Sequence, residues 1–66
     1  MQIPIAPIDR IIRDAGARRV SEEAAKELAR ELERYSLEIA ARAVKYATHA
    51  KRRTVTREDI QLAIRG

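Results

Sequence analysis

The fold of this chain is decided by one uninterrupted stretch, residues 21–49, which reads SEEAAKELARELERYSLEIAARAVKYATH. It contains neither glycine nor proline, and apolar residues recur along it at intervals of three and four, the period of an amphipathic α-helix. Ser21 is a suitable N-cap, and the two glutamates that follow it suit the positive end of a helix dipole. The stretch therefore predicts one helix of about seven turns, on the order of 40 Å long.

The apolar stripe of this long helix is broadest between residues 39 and 47, where small residues are frequent. Small residues let a second helix approach closely, and two short flanking helices cannot cover a stripe of this length. The polar flank carries acids and bases at i,i+4 spacing, each pair worth about 0.3 kcal/mol. The stripe residues are Ala25, Leu28, Leu32, Tyr35, Ile39, Ala43 and Tyr46, widened by Ala29, Ala40, Val44 and Ala47.

A short first helix is predicted before the long one. Isoleucines recur at helical spacing from residue 5 to residue 12, so the helix is expected over about residues 5–15, with Gly16 as its C-terminal stop. Either Pro4 or Pro7 suits its first turn, where a missing N–H costs nothing. The residues that precede it, including Met1 and Gln2, are expected to be extended.

A short third helix is predicted after the long one. Thr56 is its expected N-cap, and Asp59 stands three residues on, as in a weak capping box. Leu62 falls on the same side as Asp59, away from the apolar stripe, so it indicates either a second contact surface or a single exposed leucine. The buried stripe is expected to consist of Ile60, Ala63 and Ile64.

The composition bounds the chain to one small domain, residues 1–66. A domain of this size buries only about 60% of the surface of its unfolded chain, and the absence of cysteine excludes disulfide support. Since 45% of the residues are hydrophobic, the missing core is expected to come from a second copy in a tight homodimer. The domain is expected to carry no tail at either end.

The charge balance favours a polyanionic partner, because 14 Lys and Arg face 10 Asp and Glu, for a net charge of +4. A solvated helical surface is the alternative explanation. A single histidine cannot build a structural zinc site, and no catalytic motif, signal peptide or membrane-spanning apolar run is present. We therefore expect no enzymatic activity, cofactor, metal or membrane association, and residence in the cytoplasm.

A short cassette occurs once before and once after the long helix. The first copy is Arg18-Arg19-Val20-Ser21-Glu22-Glu23, and the second is Arg52-Arg53-Thr54-Val55-Thr56-Arg57-Glu58-Asp59. Each copy joins cations, a β-branched residue, an N-cap and the acids of a first helical turn. Cationic side chains and helix N-termini both attract phosphate, so the cassettes predict two anion-binding corners.

Two copies of the chain that cross antiparallel would bring the first cassette of one beside the second cassette of the other. Val20 and Val55 of the two chains are then expected to pair as short strands. The dimer would carry three basic points along one face, two at its ends and one at its centre. The ends would combine Arg18 and Arg19 of one chain with Arg52, Arg53 and Thr54 of the other, and the centre would carry Arg10 and Arg13.

Six short motifs follow one another in a fixed order. They are Ile3-Pro4-Ile5-Ala6-Pro7 before Arg10, Asp14-Ala15-Gly16-Ala17, Arg19-Val20-Ser21, His49-Ala50, Arg52-Arg53-Thr54-Val55 and Glu58-Asp59-Ile60. In this order and spacing the chain closely resembles the archaeal histones, and through them the eukaryotic core histones. The resemblance covers essentially the whole chain. It implies an all-α histone fold (short helix, long central helix, short helix) that forms an antiparallel handshake homodimer.

The resemblance also implies binding and bending of double-stranded DNA with little sequence preference. Arg10 matches a residue that enters a minor groove, whereas Arg19, Arg53 and Thr54 match residues that contact the DNA backbone. The Thr54 hydroxyl can donate to a phosphate. A protein of this kind is expected on the chromosome, in the nucleoid.

The remaining cations of the candidate DNA-binding set are assigned on different grounds. Arg52 matches a residue that forms an intrachain salt bridge with Asp59, which would make Arg52 more a structural residue than a phosphate ligand. Arg13 and Arg18 join the set on charge and position alone, and solvated surface cations are the equal alternative for both.

A second cluster consists of Tyr46, His49, Asp59 and Leu62. In the resembled family, residues at the positions of His49 and Asp59 pair across a four-helix interface between dimers, and residues at positions 46 and 62 pack beside them. This implies tetramers or superhelical filaments on DNA, although Tyr46 is bulkier than the aliphatic residue expected there. Gly16 is either the helix stop alone or, as a further hypothesis, also a site where neighbouring superhelical turns stack closely.

Two other functions remain as alternatives. One is a histone-fold subunit of a sequence-specific transcription factor, which would usually heterodimerise. The other is a helical protein-interaction module whose basic loops are only soluble surface. Heterodimers with paralogous histones are a further expected pairing for a chain of this kind.

Overall fold

Three helices make up the chain in the computed structural model, which describes residues 3–66: α1 (Ile5–Asp14), α2 (Glu22–His49) and α3 (Arg57–Arg65). No β-strand occurs within this range. The predicted all-α order of a short, a long and a short helix is confirmed. The expected extended conformation of Met1 and Gln2 lies outside the described residues.

The start and the end of α1 follow from proline and glycine. Pro4 precedes the helix with an extended backbone, and Pro7 stands in its first turn, where the N–H would have no intrahelical acceptor. At the other end Gly16 has a φ of 121°, which only glycine adopts without strain. Its N–H donates to the carbonyl of Arg13 at 2.9 Å, and the next N–H donates to Ile12 at 3.4 Å, which is the Schellman pattern of a helix end.

Side-chain caps fix the starts of α2 and α3. The Ser21 hydroxyl accepts the N–H of Ala24 at 3.0 Å, so Ser21 is the N-cap of α2, as predicted. Thr56 and Asp59 form a reciprocal capping box at α3, in which the Thr56 N–H donates to the Asp59 carboxylate at 2.9 Å and the Thr56 hydroxyl accepts the Asp59 N–H at 3.4 Å. Each cap satisfies backbone donors that a helix start leaves without a partner.

The chain divides into two compact units, one that ends at Arg34 and one that spans Tyr35–Gly66. In the first unit Ile8 of α1 packs with Ala25 and Ala29 of α2. Ile8 is the largest of these three buried side chains. Half-buried apolar residues surround the cluster: Ile3, Ile5, Ile12, Val20, Leu28 and Leu32.

The core of the second unit, Tyr35–Gly66, joins Ile39 and Ala43 of α2 to Ala63 of α3, with Tyr46 and Ile60 half-buried beside them. Ala43 and Ala63 have no exposed surface. Both positions are closed to solvent and hold small side chains, so a larger side chain at either one would overfill the core.

One expectation about α3 was wrong for the single chain: Ile64, predicted as part of the buried stripe, is 57% exposed. Asp59, predicted on the side away from that stripe, is nevertheless only 4% exposed. Hydrogen bonding explains the burial of Asp59, because its carboxylate is held by the helix cap and by an arginine of the preceding loop. Helical periodicity alone assigns polar residues to the solvent side and cannot foresee such an internal partner.

Candidate nucleic-acid interface

The two loops that carry the basic cassettes have the same internal construction. Each begins with a residue of positive φ, Gly16 in the first loop and Lys51 in the second, and each ends five residues later at an N-cap, Ser21 or Thr56. In the second loop the Lys51 N–H donates to Thr48, and the following N–H donates to residue 47, both at 2.9 Å. In both loops the preceding helix therefore ends in a Schellman turn, and the next helix begins at a side-chain cap.

An arginine braces the first loop from the end of α1. The Arg13 guanidinium donates to the Asp9 carboxylate at 2.8 Å and to the Arg18 carbonyl at 3.0 Å. These bonds use two of the donor nitrogens of a guanidinium that is predicted to bind DNA. Arg13 therefore shapes the loop that presents Arg18 and Arg19, and its pairing with Asp9 was not foreseen from the sequence.

Arg52 braces the second loop in a parallel way. Its guanidinium donates to both Asp59 carboxylate oxygens at 2.8 Å and to the Thr54 carbonyl at 3.0 Å. A bidentate arginine–carboxylate pair of this kind fixes orientation as well as distance. The structure thus places Arg52 and Asp59 in the salt bridge that the sequence resemblance implied, and the loop conformation around Thr54 depends on it.

The environment of Asp59 favours its charged form. The Arg52 guanidinium is the main cause that holds the pKa of this carboxyl well below its usual range, and the Thr56 N–H and hydroxyl act in the same direction. The same contact raises the pKa of Arg52. The pair is therefore charged throughout the physiological range.

We expect this pair to make stability depend on acid pH. A carboxyl with a lowered pKa in the folded state stabilises the fold fully above its usual pKa of 3.8, and this contribution is lost as the pH falls through the folded-state pKa. The free energy of unfolding of Asp59→Asn should therefore lie below that of the wild type at pH 7, and the difference should shrink below about pH 4. Urea unfolding between pH 7 and pH 2 measures it.

Glu58→Gln is the matched control, because Glu58 is an exposed acid of the same helical turn. Its free energy of unfolding should follow that of the wild type much more closely at every pH. A difference between Asp59→Asn and wild type that does not change with pH would contradict the role given to the charged carboxylate.

Four predicted DNA-binding cations are exposed and take part in no ion pair within residues 3–66. They are Arg10, Arg18 and Arg19 in the first unit and Arg53 in the second. Thr54 is exposed as well, and its carbonyl is held by Arg52. These side chains can therefore meet an anion without first breaking an internal salt bridge. Lys51, beside Arg52, is also exposed and without an ion pair in this range, and sequence reasoning did not single it out.

The second predicted cluster lies wholly within the unit Tyr35–Gly66. His49 and Leu62 are exposed, Tyr46 is half-buried and Asp59 is buried. The Tyr46 hydroxyl lies near the C-terminal end of α3, only 3.2 Å from the place that a Cβ would take on Gly66. One Asp59 oxygen accepts three hydrogen bonds and the other accepts one, from Arg52, so only the latter can accept a further hydrogen bond.

The glycine of the first loop is required by its backbone. The φ of 121° at Gly16 suits glycine alone, and no described residue other than its two chain neighbours has a heavy atom within 4 Å of the place where a Cβ would be. Crowding within the chain therefore does not explain this glycine. The positive φ accounts for the predicted helix stop, while the predicted close stacking of neighbouring turns stays a hypothesis.

Other kinds of site find no support in the described part of the chain. Among residues 3–66, no group of three or more His, Asp and Glu side chains is arranged to hold a metal ion. No described helix is long and apolar enough to cross a membrane.

The chain has three helices and two basic loops, and each loop leads into a capped helix start. These features define a helical protein that is suited to binding a polyanion. The sequence profile described as "Histone-like transcription factor (CBF/NF-Y) and archaeal histone" matches residues 1–64. The chain is 56% identical over 65 residues to one of the archaeal histone HAN1 subunits of Thermococcus zilligii, covering 98% of this chain and 97% of that protein. It is 52% identical to "Probable archaeal histone 3" of Methanocaldococcus jannaschii over 65 residues, with the same coverage of both chains.

The chain therefore belongs to the family of histone-like transcription factors and archaeal histones, and its three helices are a histone fold. Both relatives carry names that describe archaeal histones. The match over nearly the full length of both favours a DNA-binding chromosomal histone over one chain of a transcription factor.

Proposed function

We propose that this chain forms an antiparallel handshake homodimer that bends and compacts double-stranded DNA with little sequence preference, and that it acts on the chromosome as a cytoplasmic, non-enzymatic histone. The observation that carries the proposal is the pair of congruent loops, each of which presents unpaired cations beside a capped helix start. Family membership supports the same conclusion.

The need for a second copy follows from how little the described chain buries. Five of its seven buried hydrophobic residues are alanines, while seven large apolar side chains are 39–70% exposed. Burial of apolar surface is the main stabilising term in a small fold, at about 25 cal/mol per Å². A handshake partner that covers most of these residues supplies the missing core: Ile11, Tyr35, Leu37, Val44, Val55 and Ile64.

The proposed dimer places one loop of each kind at each of its ends. Arg18 and Arg19 of one copy would lie beside Arg53 and Thr54 of the other, with Val20 and Val55 paired between them. A composite of this kind contacts phosphates from two chains at once, which fixes the DNA backbone without reading its bases.

Arg10 is proposed to act at the dimer centre. It is exposed near the middle of α1 and has no acidic partner within residues 3–66. Insertion of an arginine into a narrowed minor groove uses the strong negative potential there. This contact favours DNA that bends easily and carries no other sequence preference.

Dimers are proposed to assemble further through Tyr46, His49, Asp59 and Leu62. The cluster presents an exposed histidine and an exposed leucine from one unit of the chain. Asp59 keeps Arg52 as its internal partner and would use its less occupied oxygen for His49 of another dimer. The same surface and fold are compatible with paralogous histones, so heterodimers are part of the proposal.

Nuclease digestion of complexes reconstituted on a long duplex tests this function. We expect protected fragments that lengthen in regular steps, because each added dimer covers a further length of DNA. His49→Ala should shorten the series by weakening the contact between dimers.

Thr48→Ala is the matched control, because Thr48 is the exposed neighbour of His49 on α2, and it should leave the series unchanged. If His49→Ala also leaves it unchanged, the interface assigned to the cluster is wrong. If the wild type protects no DNA, or protects one sequence alone, the proposed chromosomal function itself fails.

A further inference from the structure

Lys51 has a backbone conformation that its side chain does not favour. Its φ of 60° is the one positive value at a non-glycine residue within residues 3–66. Lysine meets steric resistance in this left-handed region, whereas glycine does not. Gly16 occupies the equivalent position in the first loop, so the same turn is built in this chain both with and without the strain.

The strain at Lys51 brings no compensating contact within the described chain. Lys51 is exposed and forms no salt bridge within residues 3–66. Its N–H bond to Thr48 belongs to the backbone, so glycine would make it equally well. An unfavourable conformation that persists without a local benefit points to a role outside the folded chain.

The surroundings of Lys51 are cationic. Lys51, Arg52 and Arg53 line an open groove of about 420 Å³ together with apolar residues, Val44 and Val55 among them. Arg52 is committed to Asp59 and Thr54. The cations of this groove that remain available to an external anion are therefore Lys51 and Arg53.

We propose that Lys51, held in its strained turn beside Arg53, is a further phosphate contact of the DNA interface, an assignment that rests on the proposed function. A lysine acts on phosphate as a mobile point charge, so it adds attraction without restricting the sequence. A dimer contains two such residues, one at each end.

The test compares Lys51→Gly and Lys51→Asn with the wild type, because both substitutions remove the charge and both residues tolerate a positive φ. Each should reduce the slope of log K against log salt on a mixed-sequence duplex by about 1.8 per dimer, from two lost contacts of about 0.9. At 0.1 M salt this corresponds to an affinity loss on the order of 50-fold. Lys51→Arg keeps the charge and should keep the wild-type slope.

Stability should change in the opposite direction to DNA affinity. Lys51→Gly relieves the strained φ, so its Tm should lie about 4 °C above that of the wild type. A variant that is more stable and yet binds DNA less well cannot owe its weaker binding to unfolding.

Lys45→Gln is the matched control, because it removes an exposed lysine from the body of α2 at the same change of net charge. It should leave the slope at the wild-type value. Equal slopes for Lys51→Gly and wild type, or an equal reduction in Lys45→Gln, would overturn the assignment of Lys51 while leaving the proposed function in place. A wild-type slope near zero would overturn the proposed function as well.

Discussion

The double substitution Arg19→Ala and Arg53→Ala is expected to lower the affinity for mixed-sequence duplex DNA on the order of 10³-fold at 0.1 M salt. Each dimer then loses four phosphate contacts, and the slope of log K against log salt should fall by about 3.6. Both arginines are exposed and unpaired within the described residues, and they stand in the two congruent loops. Titration of a labelled duplex at several salt concentrations measures the affinity and the slope together.

The matched control removes the same number of charges from the long helix. Arg30 and Arg34 are exposed on α2 and pair with Glu27 and Glu31, so they belong to its solvated flank. Arg30→Ala with Arg34→Ala should leave the slope near its wild-type value. Should both double variants lose affinity equally, net charge alone would govern binding, and the loops would have no special part in it.

Ile8→Ala is expected to lower the free energy of unfolding more than any other single truncation in the core of the first unit. Ile8 is the only large side chain among its three buried residues, and the other two are Ala25 and Ala29. Neither alanine can extend to fill the cavity, so we expect a loss of about 2–5 kcal/mol. This is a large share of the 5–15 kcal/mol that is typical of a folded domain. Urea unfolding followed by circular dichroism at fixed protein concentration measures the loss.

Ile11→Ala is the control for this measurement. Ile11 is the same residue type in the same helix but is 52% exposed. Its truncation should cost less than half as much as that of Ile8. Equal losses would mean that Ile8 does not anchor this core.

The helices could be predicted because most of their boundaries have a local chemical cause. Ser21 and Thr56 carry hydroxyls that accept backbone donors, and Gly16 takes a conformation that ends a helix. These effects act over three to five residues, so the sequence contains all of their partners. The predicted end of the first helix was residue 15, and the structure ends α1 at Asp14.

The candidate site could be predicted only in part. The exposed cations Arg10, Arg19 and Arg53 were evident from charge and from the repeated cassette. The Asp9–Arg13 pair has the i,i+4 spacing of a helix and was open to prediction. The bond from Arg13 to the Arg18 carbonyl was not evident, because it depends on how the first loop folds back on α1. Lys51 was missed because its positive φ depends on how α2 ends, and a lysine in the sequence does not indicate that conformation.

The sequence by itself determined the number, order and caps of the helices, the surplus of positive charge and the place of the two basic loops. Those properties depend on contacts between near neighbours in the chain. Tertiary structure decided which charged groups are used internally, since Arg52 meets Asp59 seven residues away only after the loop has folded back to α3. It also decided that Ile64 is left exposed and Asp59 is buried, because burial depends on which surfaces meet and not on periodicity alone.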